Sequence, residues 1–117
     1  MIDYVDPIPP VVSFLNRVMG FRVYGNTMPS NPVLPSLVVR SAGGNGYTRL
    51  QLIVRANDDV TAMATLIRSM NELERNGAEI NLAGCWIERE SNPLPSVDND
   101  TGKPEAWAYM RMEHLEA

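Results

Sequence analysis

The chain has little of what catalysis and metal binding usually need. Its 117 residues include one cysteine, Cys85, and one histidine, His114. A lone cysteine excludes an intrachain disulfide framework, and no local grouping of cysteines and histidines has the spacing of a metal site. No paired acids and no pairing of a nucleophile with a base are visible. We therefore predict that the protein is not an enzyme and that it uses no cofactor.

Basic charge and long apolar runs are also scarce. The chain carries 10 Lys and Arg against 14 Asp and Glu, a formal net charge of −4. Broad binding to nucleic acid needs clustered basic residues that release counterions, so we expect no direct nucleic-acid binding. No apolar run approaches the roughly 18 residues of a membrane span, and the chain opens on acidic residues, whereas a signal peptide opens on basic ones. We expect no membrane association and a cytoplasm-like compartment.

The sequence does have the balance of a folded domain. Hydrophobic residues make up 44% of the chain and charged residues 21%, which is typical of globular rather than disordered proteins. A chain of this length can bury one sizeable core, and a second core is not expected. We predict one domain over residues 1–117.

A strand that leads directly into a helix is the clearest feature. Side chains alternate from Thr48 to Ala56, which predicts a β-strand with one aliphatic face. Short polar side chains at 57–59 then offer acceptors to the free N–H groups of a helix. We predict that helix over Asp59–Arg75, ended by Asn76 and Gly77 in the left-handed conformation. Its apolar residues at steps of three and four are Met63, Leu66, Ile67, Met70 and Leu73.

The N-terminal part predicts a second helix and two further extended segments. The helix lies within Asp6–Met19, with two prolines in its first turn and Gly20 at its end. A short strand is predicted at Phe21–Tyr24. Three prolines make Met28–Ser36 an irregular connection, because proline can neither donate to a sheet nor continue a helix. It leads to a strand at Leu37–Arg40.

A glycine-rich turn at Ser41–Gly46 joins that strand to the next one and predicts a hairpin. The turn lacks the Lys-Ser/Thr pair of a phosphate-binding loop, and a strand rather than a helix follows it. A hairpin tip therefore explains it better than a ligand loop does.

The C-terminal part predicts two strands and a long loop. The strands are Ile80–Glu90, interrupted near Gly84, and Ala106–Leu115. The loop, Asn92–Pro104, is rich in Pro, Asn, Asp and Gly, and lacks the ligand spacing of an EF-hand. The predicted fold is α+β: a mainly antiparallel sheet of about four strands with both helices packed on one face.

The second face of this sheet carries a mixture of aromatic residues, arginines and aliphatic residues. That composition is enriched at protein–protein contacts. An ordinary solvent-facing sheet is the alternative, and it explains the arginines better than the aromatic residues. The full predicted face comprises Val38, Arg40, Arg49, Gln51, Ile53, Arg55, Trp107, Tyr109 and Arg111, with Trp86 as a further member. The candidate subunit-interface residues are Arg49, Ile53, Arg55, Trp107, Tyr109 and Arg111.

The order of elements resembles that of the tail terminator proteins of long-tailed bacteriophages, also called tail completion or minor tail proteins. Two stretches carry the resemblance: LPSLVVRSAGGNGYTRLQLIVRANDDVTAMATLIRSMNELE, a hairpin that leads into a helix rich in alanine and methionine, and the final WAYMRMEHL strand. The resemblance lies in the pattern of elements more than in identical residues. The resemblance includes no motif that would identify functional residues. The interface residues are therefore predicted from the composition of the second sheet face alone.

The resemblance implies a non-enzymatic structural subunit of the virion, assembled in the host cytoplasm. Such a subunit forms a ring, typically a hexamer, that ends the tail tube and joins it to the head-side connector. The partners would be other copies of the chain, the tail tube protein and the head–tail connector protein. We predict that the hairpin tip Ser41–Gly46 and the loop Asn92–Pro104 are flexible in the free subunit and contact these partners. The candidate contact residues are Gly43, Gly44, Asn45, Asp98, Asn99 and Asp100.

A small-molecule or peptide-binding α+β domain is the alternative function. In that case the sheet face without helices would form a pocket instead of a contact between subunits. The mass of the protein in solution distinguishes the two functions, because a ring subunit assembles and a pocket domain need not.

Overall fold

A six-stranded mixed sheet with two helices forms the molecule. The structure is a computed structural model, and it describes residues 4–115. The elements in chain order are α1 (Ile8–Met19), β1 (Arg22–Gly25), β2 (Ser36–Ser41), β3 (Thr48–Arg55), α2 (Asp59–Asn76), a 3-10 turn (Gly77–Glu79), β4 (Trp86–Arg89), β5 (Leu94–Val97) and β6 (Pro104–Glu113).

The strand order places β6 between β3 and the pair β4 and β5. β1 pairs with β2 in parallel, and β2–β3 and β3–β6 are antiparallel. The other edge of β6 is shared, since β5 pairs with its first half and β4 with its second half. Tyr109 lies between these two halves and is also hydrogen-bonded. Its N–H donates to Ser91 Oγ at 2.9 Å, and its carbonyl accepts from the N–H of Glu90 at 3.0 Å. β6 is therefore hydrogen-bonded on both edges.

The core lies between one face of the sheet and the two helices. Burial alternates along β3 and β6, so that every second residue of each strand faces the core. Both helices contribute to the same cluster, α1 beside β1 and β2, and α2 beside β3, β6 and β4. The predicted α+β class with two helices over the sheet is confirmed. The fully buried large residues include Val11, Leu15, Leu37, Val39, Leu50, Leu52, Val54, Leu66, Leu73, Met110 and Met112.

The helix starts follow the predicted signals, and one helix end does not. Gly20 ends α1 in the left-handed conformation at φ 74°. Asp58 caps α2 by accepting hydrogen bonds from the backbone N–H of Thr61 at 2.7 Å and from its hydroxyl at 2.9 Å. The predicted left-handed end of α2 is wrong. Gly77 keeps right-handed helical angles, because the chain tightens there into the 3-10 turn instead of reversing.

The sheet has more strands than the sequence predicted, and one strand is shorter. The predicted loop Asn92–Pro104 contains β5, which pairs with β6 and makes a hairpin of the segment. The predicted strand Ile80–Glu90 survives only as β4, because the turn at Ala83 and Gly84 separates its first half from the sheet. The prediction of about four mainly antiparallel strands therefore holds only roughly for this mixed, six-stranded sheet.

Ile67 is a further correction. The sequence placed it in the core stripe of α2, and its side chain is 41% exposed while the adjacent Leu66 is fully buried. The helical spacing fits both a core-facing and a solvent-facing apolar stripe, and only the packing of α2 distinguishes them. Val18 of α1 is likewise 40% exposed.

The buried center of β3 gives a stability prediction. Leu52 is 0% exposed, whereas Val33 is 75% exposed. We expect Leu52→Ala to lower the free energy of unfolding by about 2 to 5 kcal/mol, because it removes buried methyl groups and leaves a cavity. Val33→Ala should change it by less than about 0.5 kcal/mol. Urea unfolding followed by circular dichroism measures both, and equal losses in the two variants would contradict the assigned core.

Candidate functional site

The sheet face turned away from the helices is the candidate site, and we call it the outer face. All six predicted interface residues belong to it. The pairing of β3 with β6 brings Ile53 opposite Trp107 and Arg49 opposite Arg111, with Tyr109 between these two pairs. Arg55 lies at the end of the pairing, opposite Glu105. The register therefore gathers the six residues on two adjacent strands.

Apolar side chains cross the outer face in one row, which we call the apolar row. Each member is the direct cross-strand partner of the next, so their side chains project on the same side of the sheet. Its edge residue Leu94 is 45% exposed, whereas Val38 is almost fully buried. From β1 to β5 the row reads Tyr24, Val38, Ile53, Trp107 and Leu94.

Beside the row lies a cluster of arginine and tyrosine side chains. The Arg111 guanidinium carbon stands 3.9 Å from the ring center of Tyr47, and that of Arg49 stands 5.1 Å from the ring center of Tyr109. Trp107 meets Tyr109 edge to face, with 5.4 Å between ring centers. Cation–π and aromatic contacts of this kind hold side chains in defined positions. The face therefore presents ordered rings and guanidinium groups.

Three arginines of the outer face, Arg49, Arg55 and Arg111, already have carboxylate partners. Arg49 pairs with Glu90 across the sheet, and this hydrogen bond raises the Arg49 pKa above its ordinary value. Arg111 pairs with Glu113 at 3.0 Å. Because β6 and the segments that follow β4 and β5 supply carboxylates, the positive charges of Arg49, Arg55 and Arg111 are largely neutralised within the chain.

Arg55 forms the most enclosed of these pairs. Its guanidinium lies 2.9 Å from Glu105 and 3.2 Å from Asp98, and its side chain is only 15% exposed. Asp98 also accepts hydrogen bonds from the hydroxyl of Thr101 at 2.6 Å and from its backbone N–H at 2.9 Å. These bonds, and to a smaller extent the Arg55 charge, hold the Asp98 pKa below its ordinary value. Asp98 thus ties the turn before β6 to the sheet.

The two predicted contact loops lie at opposite ends of the sheet. Gly43, Gly44 and Asn45 form the β2–β3 hairpin tip, beyond the end of β3 at which Thr48 pairs with Met112. A side chain at Gly44 would collide with the carbonyl oxygen of Tyr47, so the tip requires glycine there.

The other predicted loop, 98–103, joins β5 to β6 at the Arg55 end of β3. Asn99 and Asp100 are exposed there, whereas Asp98 is engaged in the turn. Of the three predicted contact residues in this loop, two therefore present free side chains at the tip.

A cleft of about 360 Å³ opens at the Arg55 end of the outer face. Val38 and Ile53 contribute apolar side chains, and Arg40 and the Arg55 ion pairs contribute charge. The segment 26–28 lines the other side. If the protein instead binds a small molecule or a peptide, this cleft is the place on the outer face where that ligand would fit.

The single cysteine is unsuited to nucleophilic chemistry. Burial raises the pKa of the Cys85 thiol to about 11, so it is protonated near neutral pH. Among residues 4–115, no group of three or more His, Cys, Asp and Glu side chains is placed to hold a metal ion. No helix in the same range is long and apolar enough to cross a membrane.

Several residues of the outer face were not found from the sequence. Tyr24 belongs to the apolar row because β1 pairs in parallel with β2, and a parallel pairing leaves no local signal in the sequence. Leu94 belongs to it through β5, which was predicted as loop. Glu90 and Glu105 became visible as arginine partners only with the strand register, since long-range ion pairs have no sequence pattern.

The depressed Asp98 pKa gives a pH prediction. A folded-state pKa below the unfolded value means that ionised Asp98 stabilises the fold above about pH 3.9, and that this stabilisation disappears as the pH falls through the folded-state pKa. Asp98→Asn should therefore lower the unfolding temperature at pH 7, and the difference in unfolding temperature between variant and parent should be smaller at pH 2.5. Thermal melts at both pH values measure this. Asp100→Asn is the control, with little change expected, and a gap that stays constant with pH would contradict the assignment.

Comparisons with known proteins do not identify this chain. No protein-family model matches the sequence, and no curated protein is significantly similar to it.

Proposed function

We propose that the protein is a non-enzymatic structural subunit that assembles with copies of itself through the outer face. The observation that carries this proposal is the apolar row, which runs from β1 to β5 across the whole sheet. Leu94 is exposed and Tyr24, Ile53 and Trp107 are partly exposed, so a partner that covers them removes apolar surface from water, which is favourable. Trp107 and Tyr109, near the center of the face, are the residue types that contribute most to such contacts.

The charges of the face favour the same function. Burying an unpaired arginine in a contact costs several kcal/mol, whereas an arginine that arrives with its carboxylate partner avoids most of that cost. Arg49, Arg55 and Arg111 each have such a partner within the subunit. A neighbouring subunit can therefore cover them without supplying a matching charge to each one.

The resemblance described above identifies the assembly that we propose, the ring of a tail terminator in the virion. Six copies would form the ring that ends the tail tube and joins it to the head-side connector. The hairpin tip at 41–46 and the turn at 98–103 lie at opposite ends of the sheet, so one can contact the tube while the other contacts the connector. We propose Gly43, Asn45, Asn99 and Asp100 as the tip residues in these contacts.

The cleft beside Arg55 supports the alternative function. Its volume of about 360 Å³ lies near the lower end of the range for small-ligand sites, and its lining combines apolar and charged groups. A ligand-binding domain need not assemble. Self-association that depends on the outer face would therefore favour the subunit function over the ligand-binding one.

We expect the protein to form a species of about six subunits in size-exclusion chromatography with light scattering, at high concentration or in the presence of tail tubes. Trp107→Ala should weaken each contact by about 2 kcal/mol or more, which is roughly a 30-fold rise in dissociation constant, because it removes the central side chain of the apolar row. Circular dichroism should show an intact fold, since Trp107 lies outside the helix-covered core.

Tyr4→Ala is the control for this experiment. Tyr4 is an aromatic residue that is 62% exposed and lies ahead of α1, outside the sheet, so its loss should leave assembly close to that of the parent. A parent protein that stays monomeric even when tail tubes are present would contradict the proposed function. Assembly of Trp107→Ala at the same concentration as the parent would show that the outer face is not the contact.

A further inference from the structure

A ring of identical subunits needs two different contact surfaces on each copy. Head-to-tail contacts join unlike patches and close into a ring, whereas a patch that binds itself stops at a pair. The outer face is one patch, and the proposed function therefore requires a second patch elsewhere on the chain. Within residues 4–115, α2 carries an exposed apolar surface on the opposite side of the sheet.

This second surface, which we call the helix stripe, follows one side of α2. Its residues recur at steps of three, one and three, so they align along the helix axis. Val60 is 74% exposed and Ile67 is 41% exposed, while Leu66 on the core side of α2 is fully buried. Pro95 of β5 continues the surface beyond the helix. The helix stripe consists of Val60, Met63, Ala64 and Ile67.

The helix stripe also forms a groove beside α2. The groove encloses about 430 Å³ and is lined by the stripe, by Pro95 and by Asp59 at the start of the helix. Apart from Asp59, its lining side chains are apolar. A stripe of three to four apolar residues on one helix is the kind of surface that packs against another apolar surface rather than around a polar ligand.

The charges at the edges of the two surfaces are complementary. Asp59 lies at the start of the helix stripe, and the structure shows no ion pair for it within residues 4–115. On the outer face, Arg40 lines the same cleft as Val38 and Ile53, and it also has no ion pair in that range. Each surface thus offers one charge without an ion pair, and the two charges have opposite signs, which favours the contact between them.

We propose that the helix stripe of one subunit packs on the apolar row of the next, as the second half of a head-to-tail contact. This inference rests on the proposed function, because it names the two surfaces that the ring would join. The occupant of the helix stripe is therefore a second copy of this chain. Asp59 of one copy lies near Arg40 of its neighbour in this arrangement.

The test uses two variants with one surface removed from each. Ile67→Glu places a charge in the helix stripe, and Trp107→Ala removes the center of the apolar row. Each variant alone should lose the ring, because every contact needs both surfaces. In an equimolar mixture, the intact row of one variant can meet the intact stripe of the other, and each pair then ends on two disabled surfaces. Light scattering should therefore show dimers containing one copy of each variant, and no larger species.

Val18→Glu is the matched control, because Val18 is 40% exposed and Ile67 is 41% exposed. It introduces the same charge on the other helix and should leave the ring intact. Thermal melts of all variants check that the folds are retained.

Three outcomes would overturn the inference. If Ile67→Glu assembles like the parent, the helix stripe is not a contact, and the proposed function still stands. If the mixture of the two variants stays monomeric although each is folded, the contact does not join these two surfaces. If the parent itself never assembles, the proposed function fails, and the inference fails with it.

Discussion

The antiparallel pairing of β3 and β6 determines how side chains are divided between the two faces of the sheet. Eight residue pairs link the two strands, from Thr48 opposite Met112 to Arg55 opposite Glu105. Because side chains alternate along each strand, this one register decides which residues enter the core and which reach the outer face. A shift of β6 by one residue against β3 would turn Met110 toward solvent and would bury Arg111.

The same register explains how the outer face can be rich in arginine and still be suited to a contact. Arg55 meets Glu105 as its direct cross-strand partner, and the β5–β6 turn brings Asp98 to the same guanidinium. The shared edge of β6 brings Glu90 close to Arg49. Arg49 and Arg55 are thus paired with carboxylates before any partner arrives. A partner would then cover the apolar row and the cluster of arginine and tyrosine side chains beside it.

The parts of the fold that the sequence predicted are those with strong local signals. Thr48–Arg55 alternates over eight residues, and Asp58 stands where a helix cap must stand, so the predicted strand and helix were confirmed. β5 carries no such signal, because Pro95 interrupts it and none of its residues is buried. Its strand conformation comes from pairing with β6, which is a long-range effect that propensity does not record.

The candidate site likewise contains residues that the sequence predicted and residues that it did not. Its six predicted residues were found because they alternate within β3 and β6, and the structure places them together on one face. Tyr24 and Leu94 were missed, since they reach that face only through a parallel pairing and an edge strand. Ile67 was misplaced for a different reason: two apolar stripes share α2, and periodicity alone cannot tell the buried stripe from the exposed one.

If another copy of the chain covers the outer face, as we propose, the Trp107 side chain becomes less accessible to solvent on assembly. The chain has two tryptophans, so a Trp86→Phe variant leaves Trp107 as the only indole. Acrylamide quenching of its fluorescence would be measured in dilute monomer and in assembled protein. We expect clear quenching in the monomer and strong protection after assembly. Equal quenching in both states would mean that the outer face stays in water and is not the contact between subunits.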